Sequence, residues 1–286
     1  MSVDSQKYII QNIDAVSAFD LDNGVLLFRA EDLKDGTMTN EQETVYATGK
    51  NGVKIGSGDR NKASRFTATN GAIVDGIIAA QVGSDVVVEN TVVPDYFEVL
   101  TVGADATKVK TTYKASGKTG EEIKFIYSRN PDGTAGAKYP IGATASAEVF
   151  AYDPATRTIT LPTGVFSEKD EIIAIYDITV KNVKHIQNVE DKFSKAVKAV
   201  YDIWAKNICT EKAYFGKIIY PKGKVSGNWE LAFGDDPSVQ SLEIEALSGG
   251  CSGASKLLWD MYIFDGDDID TGETEGTGGN NEETGG

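Results

Sequence analysis

The sequence predicts a mainly β protein: a β-sandwich or barrel core with one short helix, one longer amphipathic helix and a β-rich middle region. Three observations carry this prediction. Turn signals made of Gly, Asn, Asp and Pro recur at short intervals along most of the chain. The segments between them are rich in Val, Ile, Thr, Tyr and Phe, which suit a pleated, half-buried surface. Helical spacing of apolar residues is confined to two places. That pattern belongs to antiparallel sheet, not to alternating strand and helix.

The elements follow in order. After a polar start, residues 24–30 (GVLLFRA) read as a buried strand. Residues 44–48 and 53–56 flank Gly49-Lys50-Asn51-Gly52, whose Asn-Gly pair is a strong hairpin signal because both residues tolerate positive φ. Asp59-Arg60-Asn61-Lys62 reads as a second turn, leading into a strand over 63–69. Asn70 is placed to cap a short helix over 71–82, with Ile73, Val74, Ile77 and Ala80 on one face. Gly71 and Gly76 weaken that helix by about 1 kcal/mol each relative to Ala, so it must pack on a sheet to persist.

From 84 to 180 the signals are β throughout. Strands are expected at 85–93, 96–102, 107–113, 123–127, 147–152, 157–161 and 171–180. Asn130-Pro131-Asp132-Gly133 and Asp153-Pro154-Ala155-Thr156 are turns in which Pro fixes φ; in the first, Gly133 accepts a positive φ. Then the period changes. Val189, Phe193, Ala196, Val197, Val200, Ile203 and Trp204 follow i, i+3, i+4 spacing, which predicts an amphipathic helix over 189–206 capped by Asn188. Its outer lysines, Lys192, Lys195 and Lys198, would suit anionic lipid, but the interleaved Glu190, Asp191 and Asp202 favour a helix packed on its own sheet. Strands return at 224–233, 241–247 and 257–264. In the second of these, Leu242, Ile244 and Ala246 alternate with Glu243 and Glu245, as one buried and one wet face require.

Charge narrows the function. The 286 residues include 28 basic and 43 acidic side chains and one histidine, a formal net charge of −15. A protein that holds nucleic acid by neutralising phosphates needs the opposite balance. No apolar run is long enough to span a membrane, and MSVDSQKYII lacks the basic and apolar regions of a secretory signal, so synthesis in a cytoplasm is expected. Eight acids lie in 265–286, leaving −7 for the rest; this end reads as a solvated acidic tail from 266. As a calcium loop starting at Asp267 it fails, with Ile269 and Gly278 at ligand places.

Chemistry-bearing motifs are weak. Cys209 and Cys251 match no zinc spacing, His185 has no second histidine near it, and no phosphate loop, dinucleotide fingerprint or nucleophile elbow occurs. No catalytic residue, cofactor or metal is expected, and the chain is read as a non-enzyme.

The run VYATGKNGVKIGSGDRNKASRFTATNG at 45–71, with the short helix after it, resembles the N-terminal part of bacteriophage tail tube proteins. GNWELAFGDDPSVQSLEIEALSG at 227–249 and LLWDMYIFD at 257–265 are similar to the closing strands of the same family. The resemblance implies a virion subunit assembled as stacked hexameric rings, whose inner sheets join into a conduit for DNA. Tape-measure and tail terminator or baseplate proteins are the implied partners, with no membrane. It divides the chain into the first part of the core (1–95), a β-rich middle region or inserted domain (96–183), a helix and closing strands (184–265) and the acidic tail (266–286).

Two sets of residues then become candidates. A conduit should not retain the polyanion it carries, so the wet-face acids Glu243, Glu245 and Asp260 are candidates for its lining. The polar segment 31–43, with Glu31, Asp32, Lys34, Asp35, Glu41 and Glu43, is the candidate loop bridging stacked rings. The alternatives are a head decoration or capsid protein, and a carbohydrate-binding or adhesive β-sandwich exposing Tyr139 and Tyr152.

Overall fold

A computed structural model describes residues 7–231, 233–235, 237–248, 256–265, 267 and 269. The protein is mainly β, and it divides into two compact units: 1–86 with 186–286, and 87–185. The acidic tail beyond 269 and Cys251 lie outside the described residues.

The first unit begins with β1 (Tyr8–Asp20), β2 (Leu26–Ala30), β3 (Leu33–Thr48), β4 (Lys54–Asn70) and α1 (Asp75–Val82). The second unit holds β5 (Val87–Val92), β6 (Asp95–Thr101), β7 (Lys108–Lys110), β8 (Phe125–Arg129), β9 (Ala135–Pro140), β10 (Ala151–Asp153), β11 (Thr158–Thr160), β12 (Glu171–Asp177) and β13 (Val180–His185). The chain then completes the first unit with β14 (Ala196–Asn207), β15 (Ala213–Val225), β16 (Gln240–Ala246) and β17 (Asp260–Phe264).

Among the described residues the first unit is one eight-stranded antiparallel sheet, ordered β2-β1-β14-β15-β16-β4-β3, with β17 also on β15. β15 is long enough to hold two partners on one edge: β17 along Phe215–Ile219 and β16 along Gly223–Val225. The sheet curls on itself. Phe66 of β4 meets Tyr201 of β14 with ring centroids 4.5 Å apart, although β15 and β16 lie between those strands in the sheet. Tyr201 in turn meets Tyr220 edge-on at 5.1 Å, and the Tyr220 and Ser64 hydroxyls share a hydrogen bond of 2.9 Å. These rings, with Val16, Phe28, Leu242 and Ile244, form the core.

α1 covers one end of this core. Gly76 is required there: a Cβ would lie 2.5 Å from the Leu27 carbonyl oxygen. The residue that costs the helix propensity thus allows its close approach to β2. Asn70 is not the cap; its side-chain amide donates to Ala72 O, and the N-cap position is Val74. Gln240 holds that end instead, its Oε1 accepting from Val74 N at 2.8 Å. Gly83 ends the helix in the left-handed region with its N–H on Ala79 O.

Several expectations are corrected. Residues 189–206 form no helix: 196–207 is β14, paired with β1 on one side and β15 on the other. Val197, Ala199, Tyr201, Ile203 and Ala205 are buried at period two, while Val200 and Trp204 add apolar residues to the other face beside Lys198, Asp202 and Lys206. With apolar residues on both faces, the helical period fits by accident, and β-branched and aromatic content decides for strand. Residues 59–62 are no turn but part of β4, where Asn61 at φ 54° marks a register irregularity opposite Glu41 and Glu43. The polar start contains β1, whose alternation is broken by register shifts after Ile10 and Ile13. β15 also went unread, and the strand expected over 224–233 ends at Val225.

In the second unit, β6-β12-β8-β9 form one sheet, β10-β11-β7 another and β13-β5 a two-stranded ribbon. Ile123, Ile126, Phe150, Ile159 and Ile172 are fully buried between them. Both predicted turns form: Gly133 at φ 86° closes β8 onto β9, and Asp153 pairs Thr158 across the β10–β11 turn.

Candidate functional site

The long hairpin of β3 and β4 is the most unusual surface of the first unit. Its register runs unbroken in direction from Leu33↔Asn70 to Thr48↔Lys54. The near half belongs to the core, with Ser64, Phe66, Ala68 and Asn70 buried on alternate positions. The far half does not. Every residue from Lys54 to Lys62 is exposed, as are almost all from Glu41 to Thr48.

This far half is a two-stranded ribbon with wet faces. Its turn is the predicted one, with Asn51 at φ 64° and Gly52 at φ 75°. Polar cross-strand pairs hold it: Arg60 to Glu43 at 2.6 Å, Asn61 to Glu43 at 2.7 Å and Thr44 to Asp59 at 2.7 Å. The Arg60 hydrogen bond, then that of Asn61, keeps the Glu43 carboxyl below its usual range. Near the tip, four large apolar side chains meet water: Val45, Tyr46, Val53 and Ile55, the last 71% exposed. Lys54 Nζ sits 3.6 Å from the Tyr46 ring centre.

The expected bridging loop over 31–43 is therefore largely strand. Glu31 and Asp32 lie in the link between β2 and β3, whereas Lys34, Asp35, Glu41 and Glu43 are on β3 itself. The segment reads as loop because it has no apolar alternation: from Leu33 to Glu43 only Leu33, Met38 and Thr39 are even partly buried, the core side of the near half being supplied by β4. A bulge at Asp35, φ 54°, re-aims the strand, and Gly36 passes so close to β1 that a Cβ would meet Ile13 Cδ1 at 2.9 Å.

Glu243, Glu245 and Asp260 lie on one face of the first unit's sheet. Leu242, Ile244 and Ala246 are buried while Glu243 and Glu245 face out. Asp260 pairs Ile219, two residues from Lys217 on the same outer side of β15, and accepts from Tyr262 OH at 3.4 Å. The sequence reading missed that basic residues share this face. Arg65 reaches Glu243 at 3.6 Å. Asp202 accepts from Lys217 Nζ at 2.6 Å and Arg29 Nη1 at 3.1 Å, and Arg29 also pairs Glu31 at 2.6 Å. Partial burial works against ionised Asp202, but the Lys217 and Arg29 hydrogen bonds outweigh it and hold the carboxyl below its ordinary range. Only the tertiary register brings these partners together, so no sequence signal marks them.

Where the curled sheet brings β3 beside β1, a groove of about 460 Å³ opens over Ile13, Leu33, Met38, Ile218 and Trp259. Trp259 Nε1 donates to Asn40 Oδ1 at 2.9 Å at its rim. The strand that ends the sheet, β3, has β4 as its ladder partner, and β2 at the other end has β1.

The aromatic pair expected on one loop face is not exposed. Tyr152 is half-buried with its hydroxyl accepting from Ala115 N at 3.0 Å, and Tyr139 packs edge-on to Phe166 at 5.6 Å. His185 pairs Glu89 across β13 and β5. Among the described residues no group of three or more His, Cys, Asp or Glu is arranged to hold a metal ion.

Comparison with known families decides the class: the YomU/Tube protein family matches across residues 8–256. The chain belongs to the YomU/Tube protein family. This bears out the resemblance to bacteriophage tail tube proteins, and makes the chain a structural tube protein of a phage tail. The tube family match spans both compact units. No curated protein matches the chain. No helix among the described residues is long and apolar enough to cross a membrane.

Proposed function

We propose that this tube protein assembles as hexameric rings that stack into the conduit through which phage DNA passes. The observation that carries the reading is the far half of the β3–β4 hairpin. A two-stranded ribbon is marginally stable at best in water without a hydrophobic face to bury. Here such a ribbon carries Val45, Tyr46, Val53 and Ile55 into solvent. An arm of this kind gains stability only by laying those side chains on a neighbouring copy, and it is the inter-ring contact in this account. It replaces the 31–43 loop in that role, although Glu41 and Glu43 remain part of it.

The sheet edges serve the other contact. Exposed edge strands template pairing with another chain. In a closed ring β2 of one copy and β3 or β17 of the next consume those edges, joining the sheets around the axis. The outer face with Glu243, Glu245 and Asp260 is then the lining. Its charge is mixed, and three of its cations are engaged: Arg65 by Glu243, Lys217 and Arg29 by Asp202. Cations held by carboxylates are poor phosphate ligands, which suits a surface that must let DNA slide. The tape-measure and terminator or baseplate proteins are the partners such a tube requires.

Electron microscopy of the purified full chain tests the assembly. Hollow tubes or six-fold rings support it. A chain that remains monomeric at high concentration, in low and high salt alike, overturns it. Glu243→Lys with Glu245→Lys tests the lining: phage carrying both should form tubes yet eject DNA slowly, and unchanged ejection removes the assignment.

A further inference from the structure

Within the unit formed by 87–185, a cleft of about 830 Å³ lies beside Tyr113. Its floor is aromatic. Tyr113 is 49% exposed, and its ring stands edge-on to Tyr96 at 5.0 Å, which packs in turn on Tyr176 at 5.6 Å. This stack is anchored from beneath. The Tyr176 hydroxyl donates to the buried Glu98 carboxylate at 2.6 Å, and the same carboxylate accepts from Thr112 N at 3.2 Å. Burial, then that hydrogen bond, pushes the Tyr176 phenol well above its usual range, so the anchor does not ionise at physiological pH. Tyr113 is thus an exposed ring on a fixed support.

The walls are polar and also fixed. The loop from Gly117 folds back so tightly that a Cβ there would lie 3.1 Å from the Glu122 Cα. Gly120 N donates to Glu122 Oε2 at 2.8 Å, Ser116 N to Asp177 O at 2.7 Å, and the Ser116 and Thr179 hydroxyls are 2.6 Å apart. Pro154 supplies a second apolar wall. Lys114 and Glu122, one of each sign, line the same cleft, so it has no net call for a charged ligand.

We propose that this cleft binds a neutral saccharide, one pyranose face stacking on Tyr113. A sugar ring combines an apolar C–H face with a rim of hydroxyls that both donate and accept. That is the complement of an aromatic floor ringed by hydroxyl, ammonium and carboxylate groups. Because the supports are in place before binding, little ordering cost opposes it. The site involves no residue of the β3–β4 arm and stands or falls separately from the assembly reading.

Isothermal titration of the full chain with chitotriose, cellotriose and maltotriose tests it. At least one should give saturable heat. Tyr113→Ala should weaken that binding at least tenfold with an unchanged thermal midpoint, Tyr113→Trp should retain it, and Tyr139→Ala should leave it as in the wild type. If all three sugars give no saturable heat at millimolar concentration, or Tyr113→Ala binds within tenfold of wild type, the proposal is overturned. If Tyr113→Ala fails to fold, Tyr113→Trp and Tyr113→Leu decide: equal affinity of the two overturns it.

Discussion

The two halves of the β3–β4 hairpin share strands and one ladder, yet they live under different physics. The near half is secured by burial: Phe66 and Ala68 enter the core, and Ser64 bonds Tyr220 behind them. The far half has only cross-strand pairs such as Arg60–Glu43, both ends of which are largely exposed. Exposed pairs contribute little. One continuous element is thus structural at its base and exposed at its tip. In the proposed assembly, a neighbouring copy completes the tip.

That contrast can be broken in a graded series. The largest effect is expected at the base. Phe66→Ala removes a ring that meets Tyr201 in the sealed core and should cost about 3–5 kcal/mol, read as a fall in the urea midpoint of the isolated chain. Gly76→Ala comes next, since its Cβ would sit 2.5 Å from Leu27 O; the strain should lower the thermal midpoint despite the better helix propensity. At the tip, Val53→Asp with Ile55→Asp should leave the thermal midpoint of the monomer within error, because those side chains are mostly exposed in it.

Smaller than the effects at the base is the pH response of the Arg29–Asp202–Lys217 cluster. The folded-state pKa of Asp202 is depressed, so its contribution is present above the ordinary aspartate pKa of about 3.9. It is lost as pH falls through the depressed folded value. Asp202→Asn should therefore flatten the acid limb of the stability curve, measured by denaturant midpoints from pH 6 down to about pH 2. Asp177 runs the other way: its hydrogen-bonded neighbour Asp95, then burial, raises its carboxyl. Its contribution is full below the ordinary aspartate range and lost as pH rises through the raised value, so Asp177→Asn should stabilise at neutral pH and change nothing in acid.

The same contrast explains what the sequence disclosed. Turns were legible because Asn51-Gly52 and Asn130-Pro131-Asp132-Gly133 write their dihedrals into residue type. β16 was legible because Leu242, Ile244 and Ala246 are buried while Glu243 and Glu245 are not. β14 reads as a helix because Val200 and Trp204 add apolar residues to its outer face, so a period of two and a period of 3.6 fit the same letters. β1 and β15 were obscured by bulges, by Gly216 and Gly223, and by Pro221 inside a strand. The tip of the hairpin is legible from Asn51-Gly52, but 31–43 reads as loop because pattern records burial, and β3 buries little there. The wet-face acids were visible singly; their basic partners Arg65, Lys217 and Arg29 come from distant strands, which no local pattern reveals.

In the proposed tube the hairpin tip is finished by a second copy. Sedimentation velocity of the full chain, wild type beside Val53→Asp/Ile55→Asp, tests it most directly. Large assemblies are expected for the wild type and species no larger than single rings for the variant, with equal thermal midpoints when both are measured as monomers. A variant that assembles into the same large species as the wild type would contradict it.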